Sequence, residues 1–410
     1  MKKIFNWLKQ NNYQIWAHTR SENDLRIVPV DALKSVDFSS EVPIESWKQA
    51  IFPSEHTLFE FNNAPASPSY FSARGGSASG GKRGLEGVKI ALFGIRIFDL
   101  EALQLYDTVF ADDPYYQSRR KNILIIGLAP LETKFLTGFA PKDTPTTLSV
   151  VKGTLSVPKE EKILFDKTFS EERLSHLSLL KSDFNRTHIF DIFFDETSKK
   201  YFVGSKQGEK ILNNLKIKTS PTPSLPLPKG EGKGGGLRVD PRNYPRESAS
   251  IAWKNYLEWG KIVENTLDSE VWNELGKICL ACGKCSIACP TCFCFDITDE
   301  FQPPHSPPIS TGAKQGEFPP EADQPLAEEG VTRARCWGNC FYQEFHRVAQ
   351  NNFLVDNIRD RIAFWYTHKF VRIPNDYKLR GCVGCGRCAK VCPVGIDIKK
   401  NLENLEKDLK

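Results

Sequence analysis

The chain has 410 residues, with 55 Lys and Arg against 50 Asp and Glu, a formal net charge of +5. That small excess, with no long basic block, gives no support for a nucleic-acid partner. No run reaches the ~18 apolar residues of a membrane-spanning helix, so no membrane association is expected. The N-terminal MKKIFNWLKQ starts like an export signal, but Asn6, Lys9 and Gln10 interrupt its apolar run. A cytoplasmic protein of two or three domains, at about 150 residues each, is the expectation. All 12 cysteines lie between Cys279 and Cys392, and the first 278 residues carry none. In a reducing compartment such a concentration reads as metal or cluster ligands rather than disulfides.

In chain order, residues 1–62 mix apolar, aromatic and polar positions without a dominant period. A Gly/Ser-rich low-complexity insertion follows at 63–87. Val88–Phe93 is a buried-strand pattern, and Asp99–Phe110 is a helix with Leu100, Leu103, Tyr106 and Val109 on one stripe. Asn122–Leu128 is a second apolar strand, so the segment predicts a βαβ unit and a partly parallel sheet. Strands at Ile189–Phe194 and Lys200–Val203 and a short helix near Gly208–Leu215 complete an N-terminal α/β domain over 1–215. A Pro/Gly-rich linker spans 216–247.

Residues 248–410 predict an α-helical domain, which makes the whole chain α+β. Ser248–Lys277 has the apolar spacing of one long amphipathic helix. A Pro-rich insertion at 301–330 follows, and then helical spacing at Phe341–Ala349 and Asn357–His368. Near the end, Asp397 is placed to cap a helix whose stripe is Ile398, Leu402, Leu405 and Leu409. That stripe either closes the domain or docks a partner.

The cysteines carry the chemistry. Cys279-x2-Cys282-x2-Cys285-x3-Cys289-Pro and Cys382-x2-Cys385-x2-Cys388-x3-Cys392-Pro are two copies of one spacing. Three thiolates on a tight loop can hold three irons of a cubane, while the fourth, before proline, points away and serves the other cluster. Crosswise ligation follows: Cys279, Cys282, Cys285 and Cys392 on one [4Fe–4S] cluster, and Cys382, Cys385, Cys388 and Cys289 on the second. Two zinc sites are the competing reading, but zinc modules separate their CxxC pairs by a dozen or so residues. Cys292, Cys294, Cys336 and Cys340 remain. They are either thiols packed beside the clusters or ligands of a third metal site.

Other motifs weigh less. Gly76–Lys82 nearly spells a phosphate-binding loop, and Gly230-x-Gly232-x-x-Gly235 a dinucleotide fingerprint. Neither follows a strand, so a nucleotide or flavin is expected on a partner. Asp113-Pro-Tyr-Tyr116 with Arg119 and Arg120 reads as a turn and a solvated charged face, or else a docking surface. His346 and His368 read as packed or surface residues rather than ligands.

With their flanks, these segments resemble a dicluster iron–sulfur family that comprises the iron–sulfur subunit of anaerobic sulfite reductase and the β subunit of sulfhydrogenases ([NiFe] hydrogenases). The resemblance rests on FPSEHTLFEF (Phe52–Phe61), FGIRIFDLEALQLYDTVF (Phe93–Phe110), DPYYQSRRKNILIIG (Asp113–Gly127), CLACGKCSIACPTCFCFD (Cys279–Asp296), RCWGNCF (Arg335–Phe341) and the run from His368 to Asp397. It implies an electron-transfer subunit of an oxidoreductase complex rather than a catalyst on its own. Such a subunit passes electrons between a flavin-bearing NAD(P)H-binding subunit and a hydrogenase or a sulfite/sulfur reductase subunit. Two departures stand out: Ala129–Thr144 lacks a cysteine, and Cys336 falls where the family gives no reason to expect one, whereas Cys340 fits. The alternatives are a structural metal-binding interaction scaffold and a stand-alone ferredoxin-type reductase.

Overall fold

The structure is a computed structural model that describes residues 1–21, 24–39, 41–61, 88–129, 174, 175, 177, 186–223, 251–302 and 330–409. Both glycine motifs and most of the expected linker and of the two expected insertions lie outside these residues, as does the segment just after Ala129.

The chain combines helix and sheet, as expected of an α+β protein. Strands β1 (Gln14–Ser21), β2 (Asp24–Val30), β3 (Glu55–Phe61), β4 (Ile90–Ile95), β5 (Ile123–Ala129), β6 (Ile192–Asp195) and β7 (Lys200–Val203) occupy the first half. Six of them form one sheet in the order β2-β1-β4-β5-β6-β7. Its four central strands run parallel and its two edge strands antiparallel. β4 and β5 are buried at every position. Their unbroken apolar runs reflect a parallel sheet covered on both faces. Ala91, Phe93, Leu124 and Ile126 meet the helices Lys2–Gln10 and Lys206–Asn214 on one face. Ile90, Leu92, Ile123 and Ile125 meet the helix Ile97–Val109 on the other.

The joint between β4 and β5 holds a second helix, Pro114–Lys121, so the DPYYxxRR run is helical rather than a turn, and it buries Tyr116 and Arg120. Asp113 Oδ1 caps this helix by accepting from the Tyr116 amide at 2.7 Å, and its Oδ2 pairs with Arg335 at 2.7 Å. Tyr116 donates to Asp107 at 2.6 Å. Arg120, fully buried, grips both Asp107 oxygens and the Ile189 carbonyl. These charges are spent on internal bonds because burial leaves no water to satisfy them.

A three-stranded sheet was not anticipated. β8 (Phe295–Gln302) and β9 (Gly330–Trp337) form an antiparallel ladder, and β3, from the first half of the chain, pairs with β9. The expected helix over Ser248–Lys277 is two helices, Ile251–Asn265 and Glu270–Ile278. Ser269 caps the second at 3.1 Å, and the Trp272 indole donates to the Thr266 carbonyl between them. Phe341–Ala349 holds only a short 3-10 turn, Glu344–His346, rather than a helix. His346 is packed, bonding the Cys340 carbonyl at 2.7 Å. The helix Ile358–Thr367 runs on through one π-helical turn, His368–Arg372. The last helix, Ile398–Asp408, is capped by Asp397 and buries Ile398, Leu402 and Leu405 against Tyr256 and Trp272. Its stripe therefore closes the helical core. No helix among the described residues is long and apolar enough to cross a membrane.

Candidate iron–sulfur centre

The two arrays fold alike. Each begins in a loop with left-handed residues, Ala281 and Gly283 in the first and Gly384 and Gly386 in the second. Gly283 needs its missing side chain: a Cβ would stand 1.8 Å from Asn339 Nδ2, which donates to the Gly283 carbonyl at 3.0 Å. Each loop opens a one-turn helix, Lys284–Ala288 or Arg387–Val391, which ends at an extended cysteine before proline. These two short helices pack against each other. The contact carries the last cysteine of each array toward the loop of the other.

An open cavity brings the first array together with cysteines of the second. Its wall holds Cys279, Cys282 and Cys285 together with Cys392, and Cys388 also reaches it. Amides point at its sulfurs: Ala281 N donates to Cys279 Sγ at 3.4 Å and Ile396 N to Cys392 Sγ at 3.3 Å. On the far side, Cys289 stands close enough to Cys382, Cys385 and Cys388 for its charge to act on all three. Burial pushes the Cys382 thiol up to about 12 and the Cys388 thiol up as well. Cys289 moves the other way, held well below the usual thiol range by a hydrogen bond from Cys292 and by the Lys369 ammonium. Buried thiols of raised pKa are loaded by a metal that displaces their protons. Among the described residues no three His, Cys, Asp or Glu side chains converge tightly enough to hold one metal ion. A cubane needs no such convergence, because each of its thiolates binds a different iron. The donor set, two sets of four thiols with amides aimed at the sulfurs, suits that cofactor.

The other four cysteines divide. Cys292, Cys294 and Cys340 lie together, with Cys292 sharing a hydrogen bond with Cys289. Burial, then the charge of Cys294, pushes Cys340 up to about 12. Cys336 sits half-buried on β9 opposite Asp296, with its sulfur 3.6 Å from Thr298 Oγ1.

Several residues at the centre had no role in the sequence reading. Lys48 and Tyr106, both from the first half of the chain, donate to the Cys292 carbonyl. Tyr256 accepts from the Cys382 amide at 2.9 Å. Lys369 donates to Cys289 Sγ at 3.1 Å. Its one signal in the sequence is a lone lysine inside the apolar run FWYTHKFVRI.

The family description "4Fe-4S dicluster domain" matches residues 278–311 and 320–396. The chain is also 25% identical, over 332 residues, to "Sulfhydrogenase 2 subunit beta" of Pyrococcus furiosus, covering 78% of this chain and 75% of that one. Residues 278–396 are thus similar to a 4Fe–4S dicluster domain, and the chain over most of its length to a sulfhydrogenase β subunit. Its cofactors are two [4Fe–4S] clusters, which supply one-electron storage when bound. No solved structure matches the chain.

Proposed function

We propose that this chain is the electron relay of a cytoplasmic oxidoreductase complex. It carries electrons between a flavin/NAD(P)H-binding subunit and a hydrogenase or sulfur/sulfite reductase subunit. The relative from Pyrococcus furiosus, a sulfhydrogenase β subunit by name, favours the hydrogenase branch. The crosswise ligand sets are Cys279, Cys282, Cys285 and Cys392 for a surface cluster, and Cys382, Cys385, Cys388 and Cys289 for an interior one. The observation that carries this reading is the presence of Cys392 on the wall of the first array's cavity. That cavity lies where Cys282 is exposed and Leu280 is 62% exposed, so a partner's cofactor can approach it. The described residues of the N-terminal part act in this reading as the buttress of the interior cluster.

Cys292, Cys294 and Cys340 favour a second element, a third site beside the interior cluster, which would take a cluster rather than a single ion because no three of these side chains converge on one point, with Cys336 the fourth candidate. The relay is tested by anaerobic reduction. NAD(P)H should reduce the clusters only when the flavin subunit is added. Reduction by NAD(P)H with this chain alone would support a self-contained reductase, and stoichiometric zinc without labile sulfide a structural scaffold.

A further inference from the structure

Resting on the crosswise reading, we infer that Lys369 is a positioning residue for electron transfer: its ammonium raises the reduction potential of the interior cluster, so that this cluster holds the electron at rest.

Lys369 is 2% exposed, and its ammonium donates three bonds, to Cys289 Sγ at 3.1 Å, Thr291 Oγ1 at 3.0 Å and the Gly381 carbonyl at 3.1 Å. The backbone behind it is clamped. Tyr256 donates to the Lys369 carbonyl at 2.7 Å, and a Cβ on Gly381 would stand 2.3 Å from that same oxygen. A Cβ on Gly260 would stand 2.5 Å from the Phe370 carbonyl. Only glycine lets the helix Ile251–Asn265 and the second array approach the π-helical turn this closely, and such turns recur at functional sites. The ammonium is thus fixed on one ligand sulfur.

A buried ammonium is costly unless an anion faces it. A thiolate of a cluster is such an anion, and reduction adds one further negative charge to the same cluster. The N–H to sulfur bond therefore strengthens on reduction, which raises the potential. Burial of Cys289 and Cys385 opposes this, but a charge-assisted bond in a low-dielectric site is among the strongest available. Arg387 is also buried there, yet the Asp99 carboxylate binds its fork and offsets its charge. Among the described residues the cysteines of the surface cluster accept no matching bond from a side-chain cation. Its sulfurs receive backbone amides, and Arg361, the buried cation that acts on Cys279, gives its bonds to the Phe341 and Asn357 carbonyls. With both clusters bound, one electron would pass from the reduced surface cluster to the oxidised interior one. No bond forms or breaks, and Lys369 keeps its proton.

The test is an anaerobic redox titration followed by EPR on the full chain and on Lys369→Met, Lys369→Gln and Lys369→Arg. Cys282→Ser and Cys388→Ser assign the two signals. In Lys369→Met the interior cluster should show at least about a tenfold lower reduced-to-oxidised ratio at fixed potential, which is about 59 mV for one electron. The surface cluster, which the ammonium reaches only through space at Cys285, should move less, and Lys369→Arg should stay close to the parent chain. An unchanged interior midpoint with about 8 iron atoms retained, or a shift of the surface signal instead, overturns the inference. So does loss of the interior cluster in all three variants, Lys369→Arg included, which would mark a purely structural lysine. A parent chain without cluster iron would instead overturn the crosswise reading beneath it.

Discussion

Arg387, set between Cys385 and Cys388 of the second array, forks onto Asp99 of the helix Ile97–Val109 at 2.7 and 2.9 Å, with both side chains 0% exposed. Its Nε donates to the Pro43 carbonyl at 2.8 Å. Val383 and Cys385 belong to the same apolar cluster as that helix. The thiol-free first half of the chain is thus joined to the second array by charge, hydrogen bonds and packing. Removing one partner of a buried pair leaves an uncompensated charge. Asp99→Ala should cost about 3–5 kcal/mol and loosen the second array. Urea unfolding together with labile-sulfide content checks this. A stability loss of the size seen at exposed pairs would contradict it.

Gly381 admits no side chain. In Gly381→Ala the new methyl would press on the Lys369 carbonyl and push the second array from its place. We expect iron to fall from about 8 to about 4 atoms per chain, with the EPR signal of the surface cluster intact. Full iron content in this variant would show that the array tolerates the displacement.

His18 supplies a pH dependence. It is buried on β1, and neither ring nitrogen has a hydrogen-bond partner among the described residues. Burial, then the charges of Arg96 and Arg387, holds its pKa well below the usual range. Burial and neighbouring cations likewise lower His56 and His368 to about 4. The unfolded chain takes up protons near pH 6.5 where the folded chain does not. Stability is therefore fully present above about pH 6.5 and is lost as pH falls toward the folded values. Urea midpoints between about pH 7.5 and pH 5 should show the fall, and His18→Leu should flatten it while costing little at pH 7.5. An identical slope in that variant would contradict the assignment.

What the sequence disclosed follows from how local the signals are. The buried runs of β4 and β5, the helix between them and the Asp397 cap are written in neighbouring residues, and so is the spacing of the two arrays. The β8–β9 ladder escaped notice because its strands are charged, flank a Pro-rich segment, and have their third partner, β3, far away in the chain. Arg120 reads as part of a solvated face, and Asp99 and Arg387 carry no mark at all, since nothing local marks a charge whose partner is distant. Lys369 escaped for the same reason, with Cys289 eighty residues away.

The central claim is crosswise ligation of two clusters, and Cys289→Ser tests it most directly. Iron and acid-labile sulfide in the parent chain should each be about 8 per chain, or about 12 if the third site is filled. In the variant, EPR should show the interior cluster of Cys382, Cys385 and Cys388 altered or lost while the signal of the surface cluster persists. Loss of the surface cluster alone, the one served by the neighbours of Cys289 in its own array, would contradict the account.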